Sequence, residues 1–370
     1  MLQINRYIQN CITFIGIIMC LGWSSTIGLA QTELTDKEHT VIATLFEKTK
    51  PQCIGRYIID VPESFNNKLR DSISIGDFKL ESVFIYPPAF KQRIALREAE
   101  LREWKTSTEN APMLKEIIQL PDGKGVIFDR NKPTSNDSYR MLEAHVYVNH
   151  VAFIITADIL DLSAPKYDEE KKSYENAGFS ESEMNDKPSK LAAMLSLISR
   201  LQGRLDHEIP TEKGVCIPNG FILDGNEIPK QDVAFLYELK GFTFSVESDN
   251  SIADSGDTLL GRSAGINEAI RQYNRKTIKK GELLPSHIPS QEWLIQGEQE
   301  VYSEEQNKRI PNLPYYFFTF YANEATSSLT LPQLHILMSN QDQFTPYSDI
   351  QMVEIWDRIV GSLRYKPNTF

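Results

Sequence analysis

The sequence predicts an α+β protein of two tandem related domains, each a mainly antiparallel sheet with helices packed on one face. Three observations predict it. A cysteine-led apolar strand motif occurs twice, as Cys53-Ile-Gly-Arg-Tyr-Ile-Ile-Asp60 and, with one inserted residue, as Cys216-Ile-Pro-Asn-Gly-Phe-Ile-Leu-Asp224. An amphipathic closing helix also occurs twice, its end Ser199–Leu205 lining up with Asp357–Leu363. The offset is 163 residues at the cysteines and 158 at the helices, a near-constant period that indicates duplication. Between these marks each half runs strands, helix, strands, closing helix, the order of an antiparallel sheet with helices rather than of a doubly wound parallel one.

The elements follow in chain order. The first thirty residues have the form of a signal peptide: a short start with one cation, Arg6, an apolar run from Cys11 to Trp23, and small residues ending at Gly28-Leu29-Ala30. The run is shorter than the roughly 20 residues a membrane span needs. An uncleaved anchor and a lipoprotein using Cys20 are the competing interpretations, the second opposed by the bulky Met19 before that cysteine. The first domain is expected over 31–205. Strand 78–86 is rich in β-branched and aromatic residues, and helix 90–106 carries Ile94, Leu101 and Trp104 among charges. Strands 114–120, 124–129, 139–148 and 151–159 follow, separated by turn chemistry at Pro121-Asp122-Gly123 and Asn149-His150. The closing helix places Leu191, Met194, Leu195, Ile198 and Leu201 on one face.

A linker is expected at 206–214 and the second domain over 215–370. Strands are expected within 233–248, a helix over 263–276, then strands near 291–298, 315–322 and 331–338. The aromatic run Tyr315–Phe318 is expected in the core, and the last helix aligns Met352, Ile355, Trp356, Ile359 and Leu363. Three polar stretches, 161–188, 247–258 and 299–312, interrupt the pattern as long loops.

Composition narrows function. Hydrophobic content of 41% and charged content of 24% belong to a globular chain with a core, and the net charge is −11. Without the signal the balance is 38 basic against 50 acidic residues. Such a surface opposes nucleic acid, which wants a basic face, and stable attachment to anionic lipid. Cys53 and Cys216 remain after cleavage, in an oxidising compartment, where one bridge or two separate buried thiols are both open.

A search for catalytic groups finds one formal motif. Gly261-Arg-Ser263-Ala-Gly265 matches the nucleophile elbow of serine hydrolases, but the preceding Ser251–Gly261 is polar and acidic where the elbow needs an apolar strand. Only His287 and His335 follow as partners, and Ser263 is expected to cap a helix instead. Ser163-Ala-Pro-Lys166 is an isolated S-x-x-K in a loop. The six histidines (His39, His145, His150, His207, His287, His335) show no metal-ligand spacing, and no cofactor motif occurs. The paired acids Glu304-Glu305 and Asp168-Glu169-Glu170 have the character of solvated charge runs rather than a glycosidase pair. Catalytic, cofactor-binding and metal residues are therefore all expected to be absent, which favours a binding protein.

The two cysteine-led strands, Cys53 to Pro62 and Cys216 to Phe221, together with the signal peptide, resemble the periplasmic immunity proteins that protect bacteria from family-4 phospholipase effectors of the type VI secretion system. The resemblance covers roughly 50–365. It implies a periplasmic, non-enzymatic protein whose two domains clamp a cognate lipase and deny substrate its active site. It supplies no contact motif. The acids of the polar stretches, Asp168, Glu169, Glu170, Asp249, Asp254 and Asp257, are the expected partner contacts, meeting basic patches on the effector. A secreted hydrolase using Ser263 and a periplasmic lipase chaperone are the alternatives.

Overall fold

The computed structural model describes residues 33–67, 72–252 and 256–369. The predicted signal peptide and Asp254 lie outside the described residues.

The chain starts with helix α1 (Asp36–Leu45), capped reciprocally by Thr35 and Glu38. The first cysteine-led segment is a hairpin, not the single strand expected. Strands β1 (Thr49–Ile54) and β2 (Tyr57–Pro62) turn through Gly55, whose φ of +57° is open to glycine. Short β3 (Asn66–Asn67), β4 (Ile73–Ile75) and β5 (Phe78–Phe84) lead into helix α2 (Pro87–Glu103), which Pro87 and Pro88 start. Strands β6 (Leu114–Gln119), β7 (Gly125–Asn131), β8 (Tyr139–Val148) and β9 (Val151–Leu160) form a meander. Its last turn, Asn149-His150, has positive φ at both residues, as a tight hairpin requires.

The stretch 161–188 is not one long loop. It folds into α3 (Asp168–Asn176) and α4 (Glu181–Met184) and runs into α5 (Lys187–Arg200). Asp168, Glu169 and Glu170 form the first turn of α3, where carboxylates suit the helix dipole. In α5 the buried residues are Met194 and Leu197, while Leu195 faces solvent, one position off the expected stripe.

The second half repeats the order. Strand β10 (Leu201–Gly203) precedes the hairpin β11 (Gly214–Ile217) and β12 (Gly220–Leu223), again a hairpin where one strand was expected. Strands β13 (Gln231–Leu239) and β14 (Phe242–Asp249) precede helix α6 (Ser263–Gln272). Then come β15 (Lys276–Leu283), β16 (Ser290–Ser303), β17 (Lys308–Ala322) and β18 (Gln333–Ser339). Helix α7 (Asp349–Gly361) and β19 (Arg364–Tyr365) close the chain. The polar stretch 299–312 extends β16 and β17 into one long hairpin rather than a loop.

Thirteen strands form one antiparallel sheet that runs through both halves, in the order β15-β16-β17-β18-β14-β13-β4-β5-β9-β8-β7-β6 with β3 beside β13. The halves meet where β13 pairs with β4. Two small sheets lie apart from it, β1-β2-β19 and β10-β12-β11. In each, one half's opening hairpin pairs with the other half's closing strand. Gly55 and Cys216 exchange backbone hydrogen bonds of 2.9 and 2.8 Å, and Cys53 and Cys216 form a disulfide between the two hairpins, with Cα atoms 5.6 Å apart. Arg364 holds Asp60 with two 2.9 Å bonds, and buried Arg56 holds Asp224 at 3.0 and 2.8 Å.

One hydrophobic core serves both halves. It joins Phe153, Ile155, Met194 and Leu197 to Phe244, Phe318, Trp356 and Ile359, and includes Ile54 and Tyr57 of the first hairpin. Helices α5 and α7 lie on this core side of the sheet. Helices α2 and α6 pack on its other face, over separate clusters.

Candidate partner-binding face

Ladder register defines the face that α2 and α6 share. Residues directly opposite on neighbouring strands point to the same side. One such row runs Gln333, Asp249, Asp232, Ser74, Lys79, Thr156, Glu143 and Phe128, across eight strands from β18 to β7. Phe128 lies under α2 with Ile94 and Leu101. The parallel row Tyr321, His335, Glu247 and Ala234 begins under α6, where Ile266 and Ile270 pack on Trp293, Ile295 and Tyr321. Between the helices, Leu236, Ser245, Leu337, Ser74, Lys79, Glu81, Ile154 and Thr156 are half-buried or exposed. A sheet of this size that leaves its middle open between two helical walls presents a broad receptive surface.

Charge is unevenly spread over it. In the second half Asp232 sits opposite Asp249 and two residues from Ala234, the partner of Glu247. Burial, then the charges of Glu247 and Asp249, push the Asp232 carboxyl up to about 7, and its Oδ1 has no hydrogen-bond partner. Glu247 moves the other way, held below the usual range by His335, whose Nδ1 is 3.8 Å away.

In the first half a buried network occupies the wall. Glu143 accepts from Arg97 Nε and Nη2 at 2.8 and 2.9 Å, from His145 Nε2 at 2.9 Å and from Arg130 Nε. Burial pushes the Glu143 carboxyl up, but His145, Arg97 and Arg130 outweigh it and hold the group well below the carboxylate range. Beside this network, α2 and strands β5 and β9 enclose an open groove of ≈ 620 Å³.

Residues 50–204 match the family model described as Tle cognate immunity protein 4 N-terminal domain, and residues 208–368 match the model of its C-terminal domain. The chain belongs to this family. Solved structures share the fold. The apo immunity protein TplEi of the T6SS from Pseudomonas aeruginosa superposes with a TM-score of 0.65 at 19% identity, covering 87% of this chain and 98% of TplEi. The Tle4–Tli4 complex gives 0.64 at 19% identity, over 87% of this chain and 98% of that one. TplEi complexed with an "L" peptide gives 0.60 at 19%, covering 86% and 99%. No curated protein sequence matches the chain.

Within this Tle cognate immunity protein 4 fold the expected contact acids fall in different settings. Asp168 and Glu169 are exposed on α3, which joins β8 through a 2.8 Å bond between Tyr174 and Tyr139. Asp249 is not in a loop but at the end of β14, inside the Asp232–Glu247 cluster. Exposed Asp257 lies 3.9 Å from Arg262. Asp232 itself escaped sequence reading, although a charged residue alternating with Val233 and Phe235 marks an outward strand position. Glu143 and His145 carried the same signal.

Ser263 is the first residue of α6 and not its cap; Arg262 holds the cap position without a side-chain bond. Turns precede it, where an elbow would need a strand. Ser163 is an exposed loop residue whose N–H donates to Asp161 at 3.0 Å. Among the described residues no group of three or more His, Cys, Asp or Glu side chains could hold a metal ion. None of their helices is long and apolar enough to cross a membrane.

Proposed function

We propose that this protein is a periplasmic immunity protein that binds a cognate type VI secretion phospholipase effector and occludes it, without chemistry of its own. The observation that carries the reading is the tandem match of both immunity-family models across 50–204 and 208–368. The open sheet face between α2 and α6 supplies a surface suited to the task. Protecting a cell from its own toxin needs affinity near nanomolar, about −12 kcal/mol, and an interface of roughly 2,000 Å². A face spanning both halves of one rigid sheet offers that area with little to order on binding. Its acids, with Asp168, Glu169 and Glu170 beside it, favour a basic patch on the effector and fast encounter. The predicted signal peptide supports export.

The test is a titration of residues 31–370 into a phospholipase assay of the cognate effector. Activity falling to zero near one equivalent is expected. Unchanged activity removes the reading, and rising activity makes the protein a chaperone for the lipase.

A further inference from the structure

We infer that the groove under α2 is the specificity pocket of the effector-binding face, receiving a projecting effector segment that carries an apolar side chain between a base and an acid. The inference rests on the immunity reading above. Ala89, Arg93 and Leu96 line the helical wall, and Glu81, Ile154 and Thr156 line the floor. The floor residues belong to the open rows of the sheet, so the groove is continuous with the face.

Three features argue that it is a recognition site rather than a packing gap. Leu96 is 63% exposed at mid-helix, an apolar side chain turned away from the stripe of Phe90, Ile94 and Leu101 that anchors α2. Glu81 on the floor and Arg93 on the wall have opposite charge, yet neither side chain forms an ion pair or hydrogen bond among the described residues, with the other or with anything else. Unpaired charges on opposite walls, with apolar surface between, call for a ligand that presents the complementary sequence of charges. Finally, the fold does not dictate an open groove here. In the second half the space between α6 and the sheet is filled by Leu259, Ile266 and Ile270 against Trp293, Ile295 and Tyr321. Beside the groove, Glu143 locks Arg97 and Arg130 in place, so its back wall is preorganised.

The experiment measures the dissociation constant of the full mature chain with the purified cognate phospholipase effector by titration calorimetry. Arg93→Glu, Glu81→Arg and Leu96→Asp are each expected to weaken binding about 10- to 100-fold, with unchanged circular dichroism. Leu96→Gln is the milder substitute if Leu96→Asp disturbs folding. Arg271→Glu, on the outer side of α6, serves as control and is expected to stay within about twofold. Tight binding by the unaltered protein with groove variants all within twofold overturns this inference and leaves the immunity reading standing. No binding by the unaltered protein overturns the reading beneath it, and the inference falls with it.

Discussion

The two halves share a frame and differ in what they place beneath the helix on the open face. In the first half α2 stands beside a buried carboxylate held by two guanidinium groups and an imidazole, with a groove alongside. In the second, α6 closes on aromatic and aliphatic side chains, and Arg262 and Lys280 lie over the rings of Tyr321 and Trp293 at 5.4 and 4.1 Å. Both halves keep the hairpin and the closing helix, and one core joins them. The open face is where the two halves differ most in the side chains they present.

Substitutions in each half test whether the two helices stand on different foundations. The largest effect is expected at the network of the first half. Glu143→Ala leaves Arg97, Arg130 and His145 facing a void and is predicted to cost about 3–5 kcal/mol, read by urea denaturation. The second-half counterpart, Trp293→Ala, is predicted to cost a similar 3–5 kcal/mol through a cavity; if it is mild, α6 is not the packed wall described. Replacing both Cys53 and Cys216 with serine removes the staple between the interlocked hairpins and should cost roughly 2–5 kcal/mol, seen as a lower melting temperature that no longer responds to reductant.

Gly55→Ala should cost about 2 kcal/mol. A Cβ there would lie 2.3 Å from Ser248 Oγ, at a φ of +57°. The second half uses Asn219 at the matching turn, with φ +53°, a left-handed conformation that asparagine tolerates, and its side chain donates to Ser82 Oγ at 3.2 Å.

Asp232→Asn has a smaller effect with a pH signature. The folded state raises this carboxyl from its ordinary 3.8 to about 7, so it binds a proton more tightly than the unfolded chain does between those values. Its contribution is therefore lost as pH rises through that window. The amide variant is predicted to be more stable than the native protein at pH 8 by roughly 1 kcal/mol, allowing for partial exposure, and no more stable at pH 5. Equal gains at both values would contradict the acidic cluster. Smallest of all, Ser263→Ala should change neither stability nor effector inhibition measurably, because its hydroxyl caps nothing.

Much of this comparison was legible in the sequence. The duplication, the antiparallel order and the second closing helix follow from periodicities that burial enforces. Local rules failed where pairing partners were distant. Cys53 to Asp60 is apolar enough for one strand, but Gly55 turns it back, and its pairing partners, β19 and Cys216, lie more than 160 residues away. The polar stretch 161–188 carries no apolar stripe, so its helices, held through Tyr167, Leu162 and Met184, left no periodic signal. The groove was illegible for the same reason, since Glu81, Arg93 and Leu96 converge only after β5 and α2 fold together.

Side-chain footprinting of the effector complex would show whether the partner sits on the open sheet face. Strong protection of Leu96, Ile154, Leu236 and Leu337 on that face is expected. Leu195, exposed on α5 across the sheet, should react as it does in the free protein. Protection of Leu195 with the four open-face residues unchanged would contradict that placement.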